Sequence, residues 1–175
     1  MSNEAEIKAK FWKGLKSDMT MFLGLAEGED GHARPMTAQL EDDKFDGDEY
    51  HGSVWFFASK DSALYEKLGS GPAIGAGGSN RAMAHFVSKG HDVWATVHGT
   101  LSQSTDRVMV DKLWNRFVAA WYPGGKDDPK LALIRLDAES AEIWIDASST
   151  VAGIKMLLGI DPKQDYKDKV AEVTL

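Results

Sequence analysis

The chain has 175 residues, 43% of them hydrophobic with six Trp and seven Phe, and carries a formal charge of −7. That supplies the core of one compact domain and rules out a disordered chain. The acidic balance argues against a sequence-independent grip on nucleic acid or on an anionic membrane, both of which need clustered Lys and Arg. With no cysteine, disulfides, thiolate nucleophiles, Cys-ligated zinc and iron–sulfur clusters are excluded as well.

Residues 1–7 are acidic and lack the apolar core of a signal peptide, and no run approaches the ~18 apolar residues a membrane span requires. A soluble, cytoplasmic protein is expected. A helix is predicted over 3–16, with Ile7, Phe11 and Leu15 on one face. Strands follow at 19–25 and 33–40, separated by the turn 27–31. Pro35 fits the second strand only if its missing N–H faces a gap, an edge or a ligand. Residues 41–52 read as a hairpin loop, 54–59 as a third strand and 62–68 as a short helix.

A small-residue strand is predicted within the Gly-rich run 71–78. Strands at 81–88 and 92–102 flank the turn Lys89-Gly90, the second alternating Val93, Ala95, Val97 against Trp94, Thr96, His98. A helix over 106–119 would turn Met109, Val110, Leu113, Trp114 and Phe117 inward. After the break at 122–125 come strands at 131–136 and 142–146, and a last helix over 149–158. One domain is expected over 1–160, with a loosely held polar tail over 161–175. Many short strands with few helices favour an antiparallel barrel over a doubly wound sheet.

Several common sites are missing. Ile74 stands where the third glycine of G-x-G-x-x-G would fall in Gly69-Ser-Gly-Pro-Ala-Ile-Gly75. The five His show no tight ligand spacing, so no metal is expected, and no G-x-S-x-G marks an elbow serine.

Arg34 is the sharpest feature. A guanidinium in an apolar strand needs an anionic partner, either a phosphate or a carboxylate such as Glu41 or Asp42. In Trp55-Phe-Phe-Ala-Ser-Lys-Asp-Ser62, alternation sets Trp55, Phe57 and Ser59 on one side and Val54, Phe56 and Ala58 on the other. Both sides are apolar, which reads as a central strand. Ser59, Lys60 and Ser62 then serve either as anion donors at a helix N-terminus or as simple caps. Trp144 shares a strand face with Glu142 and Asp146, as at an interface, a ligand rim or a barrel end.

The stretch His32-Ala-Arg-Pro-Met-Thr-Ala-Gln39 followed by Ser53-Val-Trp-Phe-Phe-Ala-Ser-Lys-Asp-Ser62 resembles the FMN-binding split-barrel superfamily, the pyridoxamine 5′-phosphate oxidase-like proteins. Within it, the chain is most similar to the bacterial general stress proteins. The resemblance runs from Met19 to Gly159 and implies an antiparallel split β-barrel, mainly β with flanking helices. It also implies a homodimer with two FMN sites across its interface.

By this resemblance Arg34, Ser59, Lys60 and Ser62 hold the phosphate. Main-chain groups of Pro35, Met36, Thr37, Phe57 and Ala58 bracket the ring. Trp121 and Trp144 close the pocket from the other subunit, and Lys89 lies in a turn near the flavin. FAD and a deazaflavin stay open beside FMN.

Three departures argue against a true pyridoxamine phosphate oxidase and for weaker FMN binding. Ala63 and Leu64 replace the Arg-Lys that follows the turn Ser in oxidases, Gln39 replaces a Lys, and no Arg or His follows Arg135. The function expected is flavin binding of the stress-response type, as an FMN-dependent oxidoreductase of unknown substrate. The alternatives are a non-catalytic flavin sensor or store, and a structural dimer with a decayed flavin site.

Overall fold

One fifteen-residue strand organises the molecule. The structure, a computed structural model, describes residues 3–26, 32–70, 80–146 and 169–175. Strand β8 (Leu131–Ile145) pairs along one edge with β7 (Val93–Ser104). Its other edge is divided, the first half taken by β5 (Val54–Ser59) and the second by β9 (Val170–Thr174).

Two strands, at 131–136 and 142–146, were expected where β8 runs unbroken. The polar stretch between them keeps pairing because the register shifts there. Ala138 faces Gly99 and Ser140 faces His98, leaving Glu139 as the extra residue of a bulge that lets the strand bend. A Cβ on Gly99 would run into the main chain of Asp137 and Ala138, so the close approach requires glycine.

The antiparallel sheet runs β2 (Arg34–Thr37), β1 (Thr20–Leu25), β6 (Arg81–Val87), β7, β8, β5. Its two ends meet at one point, where Gln39 and Trp55 exchange main-chain hydrogen bonds of 2.7 and 3.0 Å. This is the split barrel the resemblance implied. The period-two pattern of β7 holds, with Val93, Ala95 and Val97 buried and Trp94, Thr96 and His98 partly exposed. Helix α1 (Asn3–Asp18) buries Ile7, Phe11, Trp12 and Leu15 in the same core as Leu23, Phe56, Leu101 and Ile134. Each fully buried side chain of this size contributes about 1.5–3 kcal/mol.

Other corrections concern β5, the 106–119 helix and the C-terminus. β5 is not central: it stands at the end of the strand order. Both its faces are buried because a second apolar cluster, including Val110, Leu113, Val118 and Tyr122, covers Trp55 and Phe57 from outside.

The helix expected over 106–119 is two helices, α3 (Arg107–Leu113) and α4 (Arg116–Ala119). Trp114 turns extended and the Asn115 side chain accepts the N–H groups of Phe117 and Val118, starting a new helix out of phase. Val118 therefore points inward and Phe117 is 68% exposed.

The last residues are not loosely held. β9 pairs with β8 and buries Val173, and Leu175 N–H donates to the Glu139 carbonyl. The loop expected over 41–52 holds a 3₁₀ turn (Asp42–Lys44) and the hairpin β3 (Phe45–Asp46) and β4 (Glu49–Tyr50). Helix α2 (Ala63–Ser70) follows β5 as expected. The turn at 27–31, the strand in 71–78, the helix over 149–158 and residues 161–168 lie outside the described residues.

Candidate functional site

From the Gln39–Trp55 bridge the two end strands diverge, β2 toward Arg34 and β5 toward Ser59. Main-chain direction alternates along a strand. Ala38 N–H donates to the Met19 carbonyl, so Arg34 and Met36 also face β1. The main-chain groups of Pro35, Thr37 and Gln39 then face the gap, as do those of Trp55, Phe57 and Ser59 across it. Pro35 is tolerated because the position without an N–H lies on this open edge.

The gap is a cavity of about 440 Å³. This is within the usual size of small-molecule sites, about 300–1,000 Å³. One end is polar, lined by Arg34, Ser59, Ser62 and Lys130. The Ser62 hydroxyl accepts the Tyr65 N–H at 3.3 Å and so caps α2. Ser59 Oγ donates to Asp61, and Lys130 Nζ lies 3.0 Å from the same carboxylate. The Ser59 hydroxyl and the Lys130 ammonium hold the Asp61 carboxyl below the usual carboxylate range, and Asp61 in turn raises the pKa of Lys130. The acids offered as partners for Arg34 are engaged elsewhere. Glu41 accepts from Lys112 at 2.7 Å and from Trp55 Nε1 at 3.1 Å, and Asp42 pairs with Lys16 at 2.9 Å.

The rest of the lining is mostly apolar, with Phe57, Phe117, Val118, Trp121, Tyr122 and Pro123. Tyr122 donates to the Ala58 carbonyl at 2.8 Å, and burial followed by the nearby Asp128 charge pushes its phenol up to about 12, so it stays a neutral donor. The loop after α4 is pinned to α3. Arg107 donates to the Lys126 carbonyl at 2.8 Å and to Asp127 at 2.6 Å, and Lys126 reaches Asp111 at 2.6 Å. Gly125 supplies the positive φ of +67° that the turn needs.

Nine of the residues singled out from sequence line this one cavity: Arg34, Pro35, Met36, Thr37, Phe57, Ala58, Ser59, Ser62 and Trp121. Trp121, expected from a second subunit, stands at the cavity of its own chain. Lys60, Lys89 and Trp144 do not line it. Lys60 is exposed and donates its N–H to the Lys130 carbonyl. Lys89 sits on Asp18, its N–H at 2.7 Å from the carboxylate. Trp144 faces Trp94 across β7–β8 and lines a separate cavity with Val170.

Lys130 and Gln39 were missed as lining residues. Lys130 reaches the site only through the β5–β8 register, which pairs Ser59 with Leu131 and which no local pattern announces. Gln39 was noticed only as a departure from the oxidase pattern. Among the described residues, no group of three or more His, Asp or Glu could hold a metal, and no helix is long and apolar enough to cross a membrane.

The profile of the family described as "Pyridoxamine 5'-phosphate oxidase like" matches residues 6–166. The general stress FMN/FAD binding protein of Xanthomonas citri is 54% identical, covering 83% of this chain and 92% of that one with a TM-score of 0.69. A general stress family protein of Xanthomonas campestris pv. campestris is also 54% identical, covering 85% and 93% with a TM-score of 0.71. A protein of the general stress protein 26 type from Jannaschia sp. CCS1 is 26% identical, covering 98% and 99% with a TM-score of 0.73. Protein bli-3 of Neurospora crassa is 33% identical over 77 residues, which is 39% of this chain and 37% of that protein.

Proposed function

Because the chain belongs to the pyridoxamine 5′-phosphate oxidase-like family, in its general stress branch, we propose that it binds FMN in the split between β2 and β5. The observation that carries this reading is the meeting of Arg34, from one strand, with Ser59 and Ser62, from the other, at one cavity. The Xanthomonas citri relative is an FMN/FAD binding protein, which supports a flavin.

The residues present fit such a group. Arg34, with its planar fork, and the Ser59 and Ser62 hydroxyls hold the phosphate, with Lys130 taking the place expected of Lys60. Phe57 and the loop aromatics form the walls for a flat ring. The main-chain groups of Pro35, Thr37 and Phe57 that face the gap offer donors and acceptors to its rim. Those expected of Met36 and Ala58 are turned instead to β1 and to β8 and Tyr122. A bound flavin supplies electron or hydride transfer, and the chain supplies binding, orientation and exclusion of water.

The proposed protein is cytoplasmic and homodimeric. Phe117 and Trp121, 68% and 82% exposed beside the cavity, form the apolar collar a second copy would cover. Trp144 would reach the site from that copy, and a chain that sediments as a monomer while binding FMN would remove it.

FMN-dependent oxidoreduction of an unidentified substrate is the first reading. Flavin binding without turnover is the second. In either case Asp61, which already holds Ser59 and Lys130, weakens the anion seat. Titration with FMN and with FAD, read by flavin fluorescence, tests both. Quenching on addition of FMN is expected, and a colourless protein that quenches neither flavin would overturn the assignment. Reduction of the bound flavin by NADH or NADPH would separate the first reading from the second. Asp61→Asn removes the competing charge and should bind FMN about threefold more tightly, in line with the small worth of an exposed pair. Equal or weaker binding would place the phosphate elsewhere.

A further inference from the structure

At the closed end of the split, Gln39 is a polar side chain only 7% exposed that lines the cavity. Its main-chain N–H and C=O are spent on Trp55. Its side-chain Oε1 accepts from Asn115 Nδ2 at 3.4 Å. Asn115 has little freedom to turn over. Its Oδ1 takes the N–H groups of Phe117 at 3.0 Å and Val118 at 3.1 Å, and its Nδ2 also donates to the Leu113 carbonyl at 3.1 Å. A flipped Asn115 would abandon the cap of α4, and a flipped Gln39 would set two NH₂ groups against each other. Asn115 does not line the cavity and Gln39 does, so with Oε1 held toward Asn115 the other end of the amide, Nε2, is left for the cavity. Among the described residues no hydrogen bond uses it.

The surrounding charge decides which acceptor suits it. Glu41, two residues on, is a buried carboxylate already served by Lys112 and Trp55, and Lys112 is shared with Asp43 at 2.6 Å. The cavity-lining cations Arg34 and Lys130 belong to the other end. Arg34 lies five residues back along the strand, roughly 16 Å away at ordinary strand rise. Glu41 lies outside the cavity lining, and the acid that does line the cavity is Asp128. A second anionic group beside Gln39 would therefore find carboxylates nearby and no spare counter-ion at this end.

Resting on the flavin reading above, we infer that Gln39 is the discriminating donor of this site and that Asn115 is its positioning residue. Gln39 Nε2 donates to a neutral carbonyl oxygen on the ring of the bound ligand. The site takes a molecule with one anionic end, at Arg34, and an uncharged, acceptor-bearing ring at the other.

FMN titrations of the parent chain, Gln39→Leu and Asn115→Asp test this. Asp at 115 keeps an oxygen for the α4 cap but removes the NH₂, so Gln39 must turn its own NH₂ toward it and show Oε1 to the ligand. Both variants should lose about tenfold in FMN affinity. The visible absorption of the bound flavin should shift, and the thermal midpoint of Asn115→Asp should fall modestly, because the bond to the Leu113 carbonyl is lost while the α4 cap is kept. Parent-like affinity and spectrum in both variants would overturn the role of Gln39 and leave the flavin reading standing. Failure of the parent chain to bind FMN would overturn both.

Discussion

Arg34→Ala is expected to bind FMN about 10- to 150-fold more weakly than the parent chain. This corresponds to about 1.5–3 kcal/mol for a hydrogen bond to a charged group. Arg34 is half-buried at the start of an edge strand and lines the polar end of the split. Glu41 and Asp42, the two carboxylates weighed as alternative partners, are bound to Lys112 and Lys16. Arg34→Lys keeps the charge but not the planar fork, and should recover only part of the loss. Fluorescence titration decides it: an unchanged Kd for Arg34→Ala removes this residue from the phosphate seat.

The second large effect is expected in stability. Gly99→Ala would place a methyl group against the Asp137 carbonyl, with the Asp137 carbonyl carbon at 3.0 Å and Ala138 Cα at 3.1 Å. Those atoms are main chain in the bulged β7–β8 ladder and cannot swing aside as a side chain would. Overpacking of this kind costs about 3 kcal/mol. Because the first half of β8 seats β5, the loss should spread to the site and lower FMN affinity as well. Urea unfolding measures the first part. A midpoint equal to the parent's would show that the bulge opens to admit a methyl group.

Local pattern and remote pairing divided what the sequence disclosed. α1 was legible because Ile7, Phe11 and Leu15 repeat at helical spacing, and β7 because Val93, Ala95 and Val97 alternate with larger or polar neighbours. The ordering of Arg34 before the aromatic strand ending in Ser59 and Ser62 carried the fold through family resemblance.

What escaped depends on pairing partners distant in the chain. A polar stretch such as Asp137 to Ser140 reads as a break, yet it stays in the ladder because β7 offers Gly99 opposite the bulge. Asn115 reads as one polar residue within a helix until its side chain is seen to cap a second one. β9 has β-branched residues suited to a strand, but its place depends on the edge of β8 that β5 leaves open, which its own five residues do not announce. Lys130 enters the site by register alone, so spacing along the chain gave no sign of it, and Gln39 showed only as a departure from the oxidase pattern.

The most direct test of the account is a crystal structure of the protein with FMN. It should show the phosphate within hydrogen-bonding distance of Arg34 and of Ser59 or Ser62, with the ring lying between the facing edges of Thr37 and Phe57. Flavin bound in another cavity, or seated in the split with its phosphate turned away from Arg34, would contradict it.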